Sequence, residues 1–289
     1  MILGCAFLTL NDTASKWETQ TYPVGEVIFA RSLLSFGFLL AIACATSRGR
    51  RALRVHSLRA QLMLALFSVS ATALFVEGLQ FLPLAESTAL NLAGPLLVVA
   101  MAPHALGERV GPKLWLAALC GFAGVSLIVQ PGAAVFHWAA LLPLASAFSS
   151  ALRDLATRRL HVSESSTSML LVSTLLLIVI SPAIPSEAWH WIELGDIAML
   201  ALAGAALAAA NYCLIRALQL ADASFIAPLR YSTLLWAIPL GAIVWHEWPG
   251  ANVLLGSTLL IASGTYLFRL ANRPTAADAR SELEKRDSA

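Results

Sequence analysis

Glu77-Gly78-Leu79-Gln80-Phe81-Leu82-Pro83-Leu84-Ala85-Glu86 meets a distant counterpart in Arg216-Ala217-Leu218-Gln219-Leu220-Ala221-Asp222-Ala223-Ser224-Phe225, 139 residues further along. Gln80 pairs with Gln219 at that offset, and the same 139 sets Glu108 against Glu247 and Gly111 against Gly250. Each half holds about five apolar stretches of helix-spanning length. An odd number of crossings brings the chain out on the other side, so the second copy enters the bilayer upside down. The expected fold class is an all-α polytopic membrane protein of ten transmembrane helices, arranged as two inverted five-helix repeats. Inverted repeats of this kind build alternating-access transporters.

Composition excludes the soluble alternatives. Of 289 residues, 58% are hydrophobic and 12% charged, with a mean hydropathy of +0.74. No water-soluble domain covers its surface from so small a polar stock. The net charge of +2 hides a concentration of basic residues in a few loops, which bears on orientation and gives no sign of a nucleic-acid partner. Cys5, Cys44, Cys120 and Cys213 lie singly in apolar segments without CxxC spacing, so they read as packing residues and imply neither disulfide nor metal. Ile2-Leu3-Gly4-Cys5 imitates a lipoprotein box, but no basic or apolar leader precedes it. So abrupt a start is expected where a short native N-terminal segment is missing.

The spans are expected at Met1 to Trp17, Val24 to Ala45, Ala60 to Leu82, Glu86 to Leu106 and Pro112 to Gln130. The second half gives Phe136 to Leu155, Ser166 to Ile184, Ile197 to Leu220, Phe225 to Trp245 and Asn252 to Leu270. Pro23, Pro83, the Pro131-Gly132 pair, Pro182, Pro185 and Pro249-Gly250 punctuate them. The first repeat is therefore expected over 1–132, the second over 133–270, and a charged cytoplasmic tail over 271–289. Arg48, Arg50, Arg51, Arg54 and Arg59, then Arg109 and Lys113, then Arg153, Arg158 and Arg159 fall on one face together with the basic tail. The opposite loops offer Lys16 and an acidic segment, so both termini are expected in the cytoplasm. Trp189, Trp191, Trp245 and Trp248 fall at the outer helix ends, where interfacial aromatics belong.

Ionisable residues inside a span cost several kcal/mol unless they meet a cavity or a partner, so each is a candidate. Span 1 carries Asn11, Asp12, Ser15 and Lys16, with Asp12 and Lys16 a turn apart on one face and able to neutralise one another. Span 2 carries Glu26 and Arg31, span 3 Glu77, and span 4 Asn91 followed by Gly94-Pro95, a weak point in its hydrogen-bond ladder. The offset of 139 sets Glu77 against Arg216 and Asn91 against Arg230, and the members of the first pair fall toward opposite faces, an arrangement that suits two gates around a central site. Asn211, Tyr212, Tyr231 and Trp236 are placed to supply hydrogen bonds and a stacking surface. Competing readings stay open: snorkelling for Arg153, Arg216 and Arg230, a structural ion pair for Arg31 and Glu77, and a helix-end or loop role for Glu108 and Glu247. Gly121, Gly124, Gly256 and Gly264 are expected to let helices approach closely.

Catalytic templates are absent. The chain has no GxGxxG, no GxxxxGK[ST] and no GxSxG, and His246-Glu247 lacks the second His of HExxH. Neither catalytic residues, a metal nor a cofactor is expected.

Asn11-Asp12 with Lys16, Glu26 with Arg31, Leu82-Pro83-Leu84-Ala85-Glu86, Gly107-Glu108-Arg109, Arg216-Ala217-Leu218 and Ala227-Pro228-Leu229-Arg230-Tyr231 are similar to the EamA-type members of the drug/metabolite transporter superfamily. The resemblance spans Met1 to Leu270 as two tandem units. It implies a ten-helix carrier of the bacterial inner membrane with a central cavity between the repeats. It also implies that Asp12, Lys16, Glu26, Arg31, Glu77, Asn211, Arg216, Arg230 and Tyr231 line or gate the path. The expected function is export of a small polar or amino-acid-derived metabolite by alternating access, with a proton as coupling ion or by facilitated exchange. Uptake of a vitamin-like compound such as riboflavin is the alternative within transport, and a membrane-embedded enzyme or a scaffold the alternative outside it. The partners are then the substrate and the lipid bilayer, and the protein is a monomer or homodimer.

Overall fold

The computed structural model describes residues 1–45, 57–106, 111–130, 137–160, 166–184, 189, 192–220 and 227–271, and no strand occurs among them. The helices are α1 Ile2–Glu18, α2 Val24–Ala45, α3 Leu58–Phe81, α4 Leu84–Asn91, α5 Gly94–Leu106 and α6 Pro112–Val129. They continue as α7 Leu141–Leu160, α8 Ser166–Ile180, α9 Leu194–Leu220, α10 Thr233–Trp245 and α11 Ala251–Ala271. Taken with α4 and α5 as one crossing, they make the ten spans of a multi-pass membrane protein.

Local chemistry explains the boundaries. Leu82 ends α3 in an extended conformation (φ −120°, ψ 151°) because Pro83 crowds the residue before it. Pro112 opens α6, where its missing N–H costs nothing. His246 takes the left-handed region at φ 56°, and the Glu247 N–H reaches back to the Gly241 carbonyl at 3.1 Å. This left-handed closure folds Glu247 back over the end of α10.

The fourth and ninth spans depart from the sequence reading. The fourth is two pieces, interrupted at Leu92 and Ala93, and the ninth starts as a 3-10 segment, Ala227–Ser232, before α10. Gly94 and Thr233 open the second pieces, and these two positions are again 139 apart. The interruption therefore belongs to the repeat. Broken spans are tolerated in a membrane where the freed backbone lines a cavity.

The inversion is visible in the contacts. The Lys16 ammonium at the end of α1 bonds the Leu82 carbonyl just before α4 at 3.0 Å and Glu247 just after α10 at 2.7 Å. The fourth span thus departs from the face at which the ninth arrives, although the two are repeat equivalents. Where α6 crosses α11, the Ser263 hydroxyl donates to the Ala117 carbonyl, and Gly124 and Gly256 each lie against the other's carbonyl with no room for a side chain. Exchanging the halves turns the first contact into the second, since 139 residues separate Ala117 from Gly256 and Gly124 from Ser263. A self-complementary contact of this kind is the mark of a two-fold axis. Leu90, Leu96 and Leu260, buried to 0–1% exposure, pack around this crossing. In the same manner α1 packs on α9 as α7 packs on α3, and α2 packs on α8.

Candidate functional site

A cavity of about 120 Å³ opens between the repeats on the face that carries Met1. At roughly 10–15 Å³ per water position, that is room for a small metabolite or a cluster of waters. One wall is α1, from Met1 through Cys5 and Leu8 to Asp12. The broken spans supply Thr88, Asn91 and Gly94 on one side and Arg230, Tyr231 and Thr233 on the other. Ser150, Arg153 and Asp154 of α7 and Asn211 of α9 complete the polar lining. The α1 and α10 segments are held together by the Thr9 hydroxyl, which donates to the Cys5 carbonyl at 2.9 Å and lies 3.3 Å from the Thr233 carbonyl. Cys5 reaches the Leu229 carbonyl at 3.6 Å.

Asp12 lies at mid-depth. Eleven residues beyond Met1 on a helix rising 1.5 Å per residue, it stands about 17 Å from that face, roughly half of a 30 Å hydrocarbon core. A relay holds its carboxylate toward the cavity. Arg31 Nη1 donates to Asn11 Oδ1 at 3.1 Å and to the Ser15 hydroxyl at 2.9 Å, and Asn11 Nδ2 donates to Asp12 Oδ1 at 3.0 Å. Because Arg31 fixes the amide orientation of Asn11, the Asn11 N–H points at Asp12. Arg31 is 3% exposed, and its positive charge compensates Asp12 across the relay.

Beyond Asp12 the path is shut. Lys16 Nζ lies 2.7 and 2.8 Å from the two Glu247 oxygens, Glu247 Oε2 accepts the Leu84 N–H at 3.2 Å, and Lys16 also stands 4.8 Å over the Trp245 ring. Trp17 packs on Trp245 with centroids 6.4 Å apart. One ammonium and one carboxylate thus tie the end of α1, the start of α4 and the end of α10 into a plug. Nearby, the Tyr22 hydroxyl donates to Asp196 at 2.6 Å and accepts the Glu193 N–H at 3.1 Å, fastening the start of α9 to the α1–α2 turn.

The structure brings Asp12, Asn91, Asn211, Arg230 and Tyr231 to one cavity, with Asn11 and Arg31 behind Asp12 and Lys16 in the plug. Lys16 pairs with Glu247 and not with Asp12. Asn91 Oδ1 lies 3.2 Å from the Ser146 hydroxyl, which joins α4 to α7. Glu26 is 3% exposed near the start of α2, and Glu77 is half-buried on α3; neither lines the cavity. Tyr212 (47% exposed) and Trp236 (40% exposed) stand on outer helix surfaces, away from the lining. The Arg216 side chain lies outside the described residues. Sequence reasoning gave Glu247 to a helix-end role, and its pairing at 139 with Glu108 was the one signal that marked it. Ser15, read only as part of the polar run on span 1, proves to anchor Arg31.

The chain matches the EamA-like transporter family over residues 1–130 and again over 135–269. It is 28% identical to a riboflavin transporter of Rhizobium johnstonii over 93% of this chain and 89% of the relative. It is 26% identical to an S-adenosylmethionine uptake transporter of Rickettsia bellii over 92% and 91%. A pseudopaline exporter of Pseudomonas aeruginosa is 26% identical over 93% and 94%. One crystal structure superposes over 94% of this chain and 98% of its own with a TM-score of 0.62 at 18% identity, which speaks for the shared fold alone. The chain, a membrane protein with two copies of the repeat, belongs to the EamA-like transporter family.

Proposed function

We propose that this membrane transporter carries a zwitterionic, amino-acid-derived metabolite by rocking one repeat on the other. The observation that carries the reading is the placing of opposite charges around one cavity: Asp12 at mid-depth and Arg230 nearer the Met1 face, where Arg153 is paired with the neighbouring Asp154 at 2.9 Å. Cys5, which contacts the backbone at Leu229 and Arg230, is seven residues below Asp12, so the two charge levels differ by about 10 Å, within reach of an extended Arg side chain. Arg230 supplies the positive charge at the Met1 end of the cavity. A carboxylate belongs at that end and an ammonium or sulfonium on Asp12. A neutral flavin uses neither charge.

The boundaries follow the repeat: 1–132 and 133–270, with 271–289 as a cytoplasmic tail. The basic loops put the Met1 face in the cytoplasm and the Lys16–Glu247 plug toward the outside of a bacterial inner membrane, with both termini inside. The cavity then faces inward in this structure. Uptake is the direction we infer, supported by the relative named for S-adenosylmethionine uptake. Export, expected from the sequence, is favoured by the relative named for pseudopaline export. A proton gradient and metabolite exchange are the two driving forces, and an uncoupler stops the first and spares the second.

Purified protein in liposomes, offered labelled S-adenosylmethionine and riboflavin in separate runs, tests the substrate class. S-adenosylmethionine is expected to cross well above the protein-free rate and riboflavin not to. Movement of riboflavin alone refutes a zwitterionic substrate. In cells, accumulation that rises with expression supports uptake and accumulation that falls supports export.

A further inference from the structure

We propose that Asp12 has two alternative cations: the positive group of the substrate while the outer plug is shut, and the Lys16 ammonium while it is open. The inference rests on the zwitterion reading and adds a coupling between cavity and plug. In this structure Lys16 is fully engaged by Glu247 and the Leu82 carbonyl, at 2.7, 2.8 and 3.0 Å. Both of those partners lie on other elements, the α3–α4 turn and the end of α10, which must withdraw from α1 when this face opens. Lys16 is 5% exposed, and an ammonium stripped of its partners inside a bilayer costs several kcal/mol.

Asp12 lies one turn down the same helix face, at the i, i+4 spacing at which a carboxylate and a lysine meet. It travels with α1, so it stays within reach of Lys16 whatever α4 and α10 do. The cavity, however, also exposes Asp12 to its contents. A cation held there keeps Lys16 on Glu247, and an empty Asp12 draws Lys16 off it. The sequence does not repeat the lysine in the second half, since the position 139 residues after Lys16 is Leu155. The exchange is therefore one-sided, and cavity occupancy biases only the outer plug.

The test is a linkage measurement on the purified full chain in nanodiscs, with S-adenosylmethionine as the cationic probe. Glu247→Gln releases Lys16 from the plug without touching the cavity, and is expected to weaken probe binding about tenfold, within the usual 5–150-fold of linked sites. Adding Lys16→Met to Glu247→Gln removes the competitor and is expected to restore wild-type affinity. Asp12→Asn is expected to abolish probe binding while a membrane-impermeant thiol reagent reaches a Trp17→Cys probe, in a chain whose four native cysteines are replaced, less readily than in the parent. Unchanged affinity in Glu247→Gln, or a double variant that stays weak although it elutes as folded protein, overturns the exchange and leaves the zwitterion reading standing. A wild-type protein that binds no cationic probe overturns both.

Discussion

Arg31→Leu is expected to unfold well below the wild type in a thermal scan in detergent, with a loss of about 3–5 kcal/mol, the cost of removing one partner from a buried charged cluster. Arg31 is 3% exposed and holds both Asn11 and Ser15. Without it Asp12 loses its countercharge across the relay, the Asn11 amide is free to turn over, and the Ser15 hydroxyl keeps only its bond to the Asn11 carbonyl. Arg31→Lys keeps the charge but replaces a planar fork with a point donor, so it recovers only part of the loss. The decisive comparison is the double variant Arg31→Leu with Asp12→Leu. Removing both charges is expected to cost less than the two single losses added together, because the second change deletes the uncompensated carboxylate left by the first. Strict additivity, or an Arg31→Leu protein within 1 kcal/mol of wild type, refutes the relay.

Gly256→Leu is expected to be the second severe variant. The Gly256 Cα faces the Gly124 carbonyl and the Ile128 side chain, so an isobutyl group has nowhere to go unless α6 and α11 separate. Overpacking of this kind costs about 3 kcal/mol, and here it strikes the contact that joins the two repeats across their axis. Folded yield after detergent extraction is expected to collapse. Because Gly124 lies against the Gly256 carbonyl across the same contact, Gly124→Leu is expected to match it closely. Gly37 provides the control: nothing lies within 4 Å of a side chain added there, so Gly37→Ala is expected to stay near wild-type stability or exceed it, as alanine suits a helix interior better. Equal damage at positions 37 and 256 contradicts packing at the axis as the cause.

Much of this architecture is written in the sequence because bilayer thickness and helix rise together fix span length, and prolines fix the ends. The pairing at 139 even marks where the second half begins. The interruption at Leu92 and Ala93 was half legible: Gly94-Pro95 signals a weak ladder, but whether a span bends or breaks depends on what the freed carbonyls meet. The matching 3-10 segment at Ala227–Ser232 carries no comparable signal, since Pro228 is also compatible with the first turn of a helix. Rotational phase was the least legible property. A helix that is apolar all round has no face to read, which is why Tyr212 and Trp236 stand outward although their chemistry suits a binding site. The polar face of α1 was legible for the opposite reason, and Asn11, Asp12, Ser15 and Lys16 are all engaged where that face points. Their partners were harder to name. Lys16 has a plausible local mate in Asp12, and it takes Glu247, 231 residues away, only because the left-handed turn at His246 folds that carboxylate back over α10.

In the proposed transport cycle, two faces of unequal access are exchanged by the motion of one repeat on the other. The direct measurement starts from a variant in which Cys5, Cys44, Cys120 and Cys213 are replaced and a single cysteine is placed at Leu8, in the cavity wall. Membrane-impermeant thiol reagent is then added separately to right-side-out and inside-out vesicles. Without substrate, Leu8→Cys is expected to react from the cytoplasmic side alone; during turnover it is expected to react from both. Labelling from the outside at rest, or a side preference that turnover leaves unchanged, contradicts alternating access through this cavity.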